Sequence, residues 1–464
     1  MAKVEGLADR LRAMVGEGNV ITAPEQLEPY GRDEGSCPPH LPDVVVKPAT
    51  TAEVQLILRD AASARIPVTP RGRGTGLTGG SVPVRGGVLL SLERMDRIVE
   101  VDEANLSVVV EPGLIVQDLH RAVESRDLFY PPDPASLDSC SIGGNIAVNA
   151  GGARAAKYGI TRHYVLGLEL VLADGQVIRH GRKTIKNTAG YSLTHHLIGS
   201  EGTLGIITQA TLRLLPLPPA RIDLLAPFAD VSAAARAVGR IVRGERVVPA
   251  ALEFMDRTSI AAAAAFLERE VPFLDAAAHL LIQLDGKDAD AVVAQSEQVG
   301  EICIQEGAVD VLVATGSHAQ ERLWAARRAI LEAVKRLSHH SDFLDVAVPL
   351  SGIPDFLERA AQAAAGSGLS LANWGHAADG NIHVALHRRE YDPGWPEAAM
   401  LVSQRIYAAA CDLGGVIASE HGIGWLKRKA LAASTDPAAL DLMRRVKHAF
   451  DPHGRLNPDK VLPR

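Results

Sequence analysis

The strongest constraint on the fold is a glycine-rich stretch, residues 71–87, that cannot form a regular helix. Residues 74–79 (GTGLTG) fit the GxGxxG pattern of a Rossmann dinucleotide turn. That turn requires a helix to begin at the third glycine, so that its N-terminus faces a pyrophosphate. Here Gly79 is followed by GSVPVRGG, which excludes such a helix. Successive glycine N–H groups can still bind an anion, so the stretch predicts a phosphate loop outside the Rossmann fold.

Two further glycine-rich segments follow in the same half of the chain. They are residues 141–152 (SIGGNIAVNAGG) and residues 199–207 (GSEGTLGII). Tight turns in an α+β domain explain any one of the three segments adequately, but they explain three poorly.

Composition limits the class of protein. The chain has 464 residues, too many for one hydrophobic core, so two or three domains are expected. The formal net charge is −7 and no basic stripe is present, which argues against nucleic acid or an anionic membrane as a partner. The four cysteines form no CxxC pair, and residues 1–12 are charged, without the apolar core of a signal peptide. Both features favour a cytoplasmic protein whose membrane contact is at most peripheral.

The apolar pattern predicts mixed helices and strands. Residues 44–69 alternate between strand and helix patterns, with a threonine-capped helix over Thr51–Ala64. Residues 165–178 predict a hairpin that turns at an Asp-Gly pair. Residues 215–220 are proline-rich and predict a linker, after which alanine-rich amphipathic helices alternate with apolar strands. Near the end of the chain, the pattern predicts a helix over Pro437–Phe450 and an irregular tail.

Two histidines seven residues apart and a Glu-His pair form the second informative pattern. The motif GHAADGNIH contains His376 and His383, and the motif SEHGIG contains Glu420 and His421. Two imidazoles and one carboxylate can hold a divalent metal and leave a coordination position open for substrate. The remaining imidazole is then available to move protons. A single histidine on a strand is more often structural, so the spacing alone leaves both interpretations open.

The order of these motifs resembles that of a known family. The motif RGRGTGLTGG resembles the pyrophosphate loop of the vanillyl-alcohol-oxidase/p-cresol-methylhydroxylase FAD superfamily, and the other two glycine segments resemble its second and third flavin segments. With the histidine motifs and the tail NPDK, the chain is similar to the D-2-hydroxyacid dehydrogenase branch. That branch includes D-lactate, glycolate and D-2-hydroxyglutarate dehydrogenases. The resemblance covers nearly the whole chain.

The resemblance implies an α+β fold in which a two-subdomain FAD-binding PCMH-type domain is followed by an α+β substrate (cap) domain with a mainly antiparallel sheet. We expect a helical lead-in over residues 1–39 and the FAD domain over residues 40–217. The substrate domain with the metal site is expected over residues 218–425. A C-terminal segment, residues 426–464, is expected to pack back on the FAD domain, close to the flavin.

The resemblance also assigns roles to individual residues. It implies that His376, His383 and Glu420 bind the metal, that His421 is the catalytic base, and that Arg327 binds the substrate carboxylate. The residues expected to contact FAD are Arg71, Gly72, Arg73, Gly74, Thr75, Gly76, Leu77, Ser141, Gly143, Gly144, Asn145, Asn149, Gly151, Gly152, Glu201, Gly205, Ile206, Ile207 and Asn457.

Some members of the family bind their flavin covalently through a histidine in the first glycine loop. Residues 71–80 contain no histidine, so the FAD is expected to be non-covalent. Cys140, beside the second segment, is interpreted as a packing residue.

These residue types suit the oxidation of a 2-hydroxy acid, which removes a hydroxyl proton and a hydride from C2. A divalent cation bound by the substrate's hydroxyl and carboxylate oxygens lowers the hydroxyl pKa, and a neutral imidazole nearby can accept the proton. A flavin accepts the hydride. Zinc is the first choice of metal, and manganese, iron or cobalt are compatible with the same ligands.

Three positions bear on the choice of substrate. In an ungapped alignment, Leu331, Phe343 and Ala385 stand where the D-2-hydroxyglutarate enzymes hold a distal carboxylate with polar side chains. None of the three can donate a side-chain hydrogen bond, so a second carboxylate there would lose water without compensation, at a cost of several kcal/mol. We therefore expect D-lactate or a near relative as the substrate.

Several alternatives are left open. Within the family they are a D-2-hydroxyglutarate dehydrogenase and a glycolate oxidase catalytic subunit. The alternative from another class is a non-catalytic flavoprotein subunit that relays electrons, which the intact metal and base motifs argue against. Direct use of oxygen, the identity of the acceptor (electron-transfer flavoprotein, quinone or cytochrome) and a homodimer are also open.

Overall fold

The computed structural model describes residues 2–244, 247–338, 340–388 and 390–463. The chain divides into two compact units. The first unit comprises residues 1–150, 160–217 and 420–464, and the second comprises residues 151–159 and 218–419.

The first unit contains two main sheets. The smaller sheet has a parallel core, because Val44–Val46 and Val68–Arg71 both pair in parallel with the buried strand Val88–Ser91. The helix Thr51–Ala64 makes the crossover from the first of these strands to the second. In spatial order its strands are Val20–Ile21, Val44–Val46, Val88–Ser91 and Val68–Arg71. The larger sheet is antiparallel, with the strands Ile98–Asp102, Ser107–Val110, Ile206–Arg213, Val165–Val171 and Val177–Gly181 in that order.

The helices of the first unit lie between and after these strands. The predicted helix Thr51–Ala64 is present, and the Thr50 hydroxyl caps it by accepting a hydrogen bond from the Glu53 amide. The predicted C-terminal helix, Pro437–Phe450, is also present. The other helices are Ala2–Val15, Pro24–Leu27, Val116–Glu124, Ile142–Val148, Leu193–Leu197 and Arg428–Ser434.

The second unit is built on one antiparallel sheet of seven strands. In spatial order the strands are Leu312–Ala314, Ala220–Phe228, Ala278–Gly286, Ala251–Asp256, Ser370–His376, Asn381–Arg388 and His340–Ala347. Its helices are Ala155–Tyr158, Val231–Gly244, Arg257–Leu267, Ala289–Gln305, Ser317–Arg336, Ile353–Ala364 and Trp395–Asp412.

Helices cover both faces of the seven-stranded sheet, because successive side chains of a strand point to opposite faces. On the strand Asn381–Arg388, for example, Ile382 and Val384 belong to one apolar cluster and Ala385 belongs to the other. The second cluster lies under the helices Arg257–Leu267 and Ser317–Arg336. This second face also carries the polar residues described below.

The structure differs from the sequence-based predictions in two places. The predicted linker, residues 215–220, begins with a short strand, Leu215–Pro216, that pairs with Leu128–Phe129. The division into units also differs at its edges, because residues 151–159 cluster with the second unit and residues 420–425 with the first. Residues 72–87, all of them described, contain no helix, as the glycine and proline pattern predicts. In the described residues, no helix is long and apolar enough to cross a membrane.

Candidate active site

The three glycine-rich segments come together in the first unit. Gly72 packs so closely on Ser141 that a Cβ atom at this position would lie 2.3 Å from the serine hydroxyl oxygen, which joins the first segment to the second. The Glu201 amide donates to the Ala147 carbonyl at 2.7 Å, which joins the third segment to the second. The predicted flavin residues of this unit are therefore neighbours, although the segments lie far apart in the chain.

The two arginines of the first segment bind the protein's own backbone. Arg71 is buried, and its guanidinium donates to the carbonyls of Arg32 and Pro29. Arg73 donates to the Gly113 carbonyl at 3.2 Å. These contacts fix the beginning of the loop that contains Gly72, Gly74, Thr75, Gly76 and Leu77, so both side chains help to hold the shape of the loop.

The second segment contains a buried side-chain amide, that of Asn145, whose hydrogen-bonding capacity is not fully used. It forms the helix Ile142–Val148, capped by Ser141, whose hydroxyl accepts from the Gly144 amide at 3.3 Å. Asn145 is buried, and within the described part of the chain its amide nitrogen has no oxygen or nitrogen partner, the nearby Cys140 thiol being only a weak acceptor. Because a buried polar group of this kind is costly unless it is paired, Asn145 fits a residue that contacts a bound cofactor. Gly143 fits only as glycine, since a Cβ there would lie 2.5 Å from Pro112.

The remaining residues predicted for FAD have the following positions. Asn149 ends the helix Ile142–Val148 in the left-handed conformation, and its side-chain oxygen accepts from the Arg162 amide. Gly205 packs on Leu170, where a Cβ would lie 2.5 Å from a leucine methyl carbon. Ile206 and Ile207 begin the central strand of the larger sheet. Gly151 and Gly152 begin the short segment that clusters with the second unit.

The C-terminal segment is bound to the glycine segments through Asn457. Its side-chain nitrogen donates to the Gly80 carbonyl at 2.8 Å and to the Glu201 carbonyl at 2.7 Å. Its backbone N–H donates to Val68 at 2.8 Å. One amide group therefore links the first segment, the third segment and the C-terminus.

Glu420 and His421 lie on a segment of the first unit that is hydrogen-bonded to the first and third glycine segments. The Glu201 carboxylate accepts from the amides of Ile423 and Gly424, both at 2.8 Å. The Thr78 hydroxyl donates to the His421 carbonyl at 3.2 Å. Burial raises the pKa of Glu201, while these amides and Lys460 oppose the rise. The side chain of Glu201, predicted as a flavin contact, thus fixes the backbone beside the predicted base.

Four polar residues form a row across adjacent strands of the second unit. Glu253 lies directly opposite His376, and His383 lies directly opposite Asp345. The rings of His376 and His383 meet edge to face with their centroids 5.4 Å apart. Because side chains alternate between the two faces along each strand, all four residues lie on the face covered by the helix Ser317–Arg336. The hairpin thus brings the two predicted histidine ligands together.

Glu253 contacts both His376 and Arg327. The carboxylate is completely buried and lies 2.6 Å from both Nε and Nη2 of Arg327. Its oxygens lie 2.8 and 3.0 Å from Nδ1 of His376. Burial alone would raise the pKa of Glu253, but the Arg327 charge and these hydrogen bonds outweigh it and hold the pKa below its ordinary value.

Asp345 adds a second buried carboxylate beside His383. It lies 3.4 Å from the His383 Nδ1 atom, and it accepts hydrogen bonds from the Asn381 side chain at 2.8 Å and the Ser419 amide at 2.9 Å. Glu420 follows Ser419 directly in the chain. In the second unit, Asp345 and His383 offer ligand atoms within 4.8 Å of one another. Imidazole nitrogens beside carboxylate oxygens form a donor set that suits zinc, manganese, iron or cobalt, so these residues fit the expected metal.

The three positions expected to face the substrate tail share one apolar cluster. Phe343 and Ala385 are direct partners on neighbouring strands. Leu331 lies one helical turn beyond Arg327 and packs against the same cluster, together with Trp374. Trp374 also lies beside His383, with ring centroids 5.7 Å apart. The three side chains therefore lie on the same face of the sheet, at one apolar cluster.

The sequence interpretation missed Glu253 and Asp345. Each is a carboxylate with an apolar residue on either side, in the strands ALEFMD and HSDFLDVA respectively. A buried charge without a partner is costly, so such a residue indicates a polar partner on the same face of a sheet. This signal was present in the sequence. The identity of the partner could not be read from the sequence, since Glu253 and His376 are 123 residues apart in the chain.

The fold and the converging glycine segments define an FAD-dependent oxidoreductase, and comparison with known proteins establishes its family. The model of an FAD binding domain matches residues 42–181, and the model of the C-terminal domain of FAD linked oxidases matches residues 217–461. The chain therefore belongs to the FAD-linked oxidase family.

Relatives across nearly the whole chain carry related names. The glycolate oxidase subunit GlcD of Bacillus subtilis (strain 168) is 40% identical over 91% of this chain and 89% of the relative. A D-lactate dehydrogenase of Archaeoglobus fulgidus is 40% identical over 90% of this chain and 91% of the relative. A D-2-hydroxyglutarate dehydrogenase of Xanthomonas citri pv. viticola is 36% identical, covering 95% and 93%. The chain is thus an FAD-linked enzyme of the glycolate, D-lactate and D-2-hydroxyacid dehydrogenase type.

Solved structures agree on the fold. p-Cresol methylhydroxylase with substrate bound superposes with a TM-score of 0.83 at 20% identity, covering 99% of this chain and 97% of that one. The expected PCMH-type fold with antiparallel sheets and mixed helices is therefore confirmed.

Proposed function

We propose that the protein oxidises a small D-2-hydroxy monocarboxylate, of the size of D-lactate, to the 2-oxo acid. Non-covalently bound FAD would supply the hydride acceptor, and one divalent metal, zinc as first choice, would supply a Lewis acid that lowers the pKa of the substrate hydroxyl. The observation that carries the choice of substrate is the apolar group formed by Leu331, Phe343 and Ala385 on the face that also bears the two histidines.

The proposed metal ligands are His376, His383 and Glu420. The two histidines are neighbours on one hairpin of the second unit. The amide of Ser419, the residue before Glu420, is hydrogen-bonded to Asp345 on the strand next to His383. Three protein ligands leave coordination positions for the substrate's hydroxyl and carboxylate oxygens.

Arg327 and His421 have the other two roles. Arg327 is proposed to orient the substrate carboxylate with the guanidinium hydrogens that Glu253 does not engage. His421 is proposed to accept the hydroxyl proton. The backbone contacts from Thr78 and Glu201 support this role, because a general base must be held in a defined position.

Burial of Cys140 supports non-covalent FAD. Burial raises the pKa of its thiol to about 11, so the thiol stays protonated near neutral pH and is a poor nucleophile.

Substrate preference follows from the apolar group. D-Lactate places a methyl group beyond C2, whereas D-2-hydroxyglutarate would place a second carboxylate there. Leu331, Phe343 and Ala385 cannot replace the water that this carboxylate loses, so kcat/KM should favour D-lactate by at least about tenfold.

The test introduces a cation into the apolar group. Leu331→Lys places an ammonium group one helical turn from Arg327 and should raise the ratio of kcat/KM for D-2-hydroxyglutarate over D-lactate at least about tenfold, measured with a dye acceptor. Glu332→Lys, on the exposed side of the same turn, is the control and should leave the ratio unchanged. A wild-type enzyme that prefers D-2-hydroxyglutarate would overturn the proposed substrate.

A further inference from the structure

Glu253 is an ionisable residue to which neither the sequence motifs nor the proposed reaction gives a role. It lies in the middle of an apolar strand, and its side chain has no exposed surface. Replacing a buried ionic group by an apolar one often costs nothing or even stabilises a protein. Stability alone therefore gives little reason to keep a carboxylate here, and its contacts indicate what it does.

The first contact fixes the orientation of His376. Nδ1 of His376 lies 2.8 Å from one oxygen of Glu253 and 3.0 Å from the other. A carboxylate only accepts hydrogen bonds, so Nδ1 carries the hydrogen and Nε2 is the nitrogen that can bind a metal. An acceptor of this kind behind a metal-binding histidine sets its tautomer and ring orientation.

The second contact fixes the orientation of Arg327. Nε and Nη2 both lie 2.6 Å from one oxygen of Glu253. The planar guanidinium is therefore held along one edge, and its opposite edge presents Nη1. Rotation about the last side-chain bonds would break both contacts.

We propose that Glu253 is a positioning residue that holds the metal ligand His376 and the substrate-binding Arg327 from a single carboxylate. The inference rests on the roles proposed for these two residues. Its consequence is that metal affinity and substrate affinity both depend on Glu253, so that a change at this residue disturbs both through His376 and Arg327.

The test is Glu253→Gln, which keeps the size of the side chain. A glutamine replaces one carboxylate oxygen by an NH2 group and has no charge. That NH2 group faces either Nδ1 of His376 or the Arg327 guanidinium, and both of these carry hydrogens, so one of the two contacts is lost. The metal dissociation constant, measured by competition with a chelator, should rise about 10- to 100-fold. The KM for D-lactate at saturating metal should rise at least about tenfold, while kcat changes less. FAD content should equal that of wild type.

The matched control is Asp223→Asn, which removes the charge of another fully buried carboxylate of the same sheet. Asp223 accepts hydrogen bonds from the Gln283 and Trp324 side chains, at 2.9 and 3.0 Å. This variant should alter thermal stability without changing the metal dissociation constant or KM. If Glu253→Gln fails to fold, Glu253→Asp keeps the charge but is one methylene shorter, and it should show the same two defects in weaker form.

The outcomes separate this inference from the proposed function. Wild-type enzyme that binds metal and oxidises D-lactate, with both constants unchanged in Glu253→Gln, would overturn the positioning role alone. Equal defects in Glu253→Gln and Asp223→Asn would also overturn it, because loss of any buried charge would then suffice. Wild-type enzyme without metal would overturn the proposed metal site and this inference together.

Discussion

Asn457 offers a quantitative test of how the flavin segments are held together. Its side-chain nitrogen donates to the carbonyls of Gly80 and Glu201, and its backbone has a positive φ of 41°. Asn457→Gly removes both hydrogen bonds and tolerates the backbone conformation. Asn457→Ala removes the same bonds and adds the strain of a left-handed residue, roughly 1–2 kcal/mol. The pair of variants therefore separates hydrogen bonding from backbone strain.

The expected loss of stability follows from the two carbonyls. Each carbonyl that is left buried and unpaired costs about 1–3 kcal/mol, so Asn457→Gly should destabilise the protein by about 2–6 kcal/mol. At roughly 2–4 °C per kcal/mol for units of 150–250 residues, the melting temperature should fall by about 4–24 °C. The Ala variant should melt a few degrees lower still.

The assay combines thermal unfolding with the ratio of FAD to protein. FAD content should fall in both variants, because the broken bonds join the first and third glycine segments. Asn105→Gly, in an exposed turn, is the control and should melt within about 2 °C of wild type. If Asn457→Gly also melts within about 2 °C of wild type and keeps its FAD, the C-terminal segment does not hold the flavin segments, and the reasoning fails.

Further predictions concern the base, the flavin and stability. His421→Asn should keep FAD and metal, while flavin reduction by substrate slows about 10²- to 10⁴-fold in stopped-flow measurements. Acid precipitation of wild-type protein should release FAD into the supernatant, and colour that stays in the pellet would contradict non-covalent binding. Gly143→Ala should destabilise the FAD-depleted protein by about 1–3 kcal/mol in thermal unfolding, because the new Cβ meets Pro112, whereas Gly144→Ala should be better tolerated. Burial lowers the pKa of Lys460 from 10.5 to about 8. Between about pH 8 and pH 10.5, Lys460 binds a proton more fully in the unfolded chain than in the folded protein. The unfolding free energy of wild type should therefore rise with pH relative to that of Lys460→Met.

Much of the fold could be predicted because the signals for single helices and hairpins lie in residues that are close together in the chain. The helices Thr51–Ala64 and Pro437–Phe450 have the predicted bounds, and the Asp-Gly hairpin pairs Val165–Val171 with Val177–Gly181. The strand Leu215–Pro216 escaped prediction because it consists of two residues whose pairing with Leu128–Phe129 depends on tertiary contacts.

The site was predicted unevenly for the same reason. The motifs pointed to His376 and His383 because both lie on one short hairpin. Glu253 and Asp345 come from strands that only the sheet register places beside them. The glycine segments indicated a flavin, but the binding of Arg71 and Arg73 to backbone carbonyls depends on residues distant in the chain and could not be predicted.

The most direct test of the central claim is anaerobic mixing of the FAD-loaded enzyme with 2-hydroxy acids, followed by flavin absorbance. We predict that D-lactate bleaches the flavin with a kcat/KM at least about tenfold above that of D-2-hydroxyglutarate and that L-lactate is slow. Chelation of the metal should abolish bleaching until a divalent cation is restored. Rapid bleaching by D-lactate in fully metal-depleted enzyme, or faster bleaching by D-2-hydroxyglutarate, would contradict these predictions.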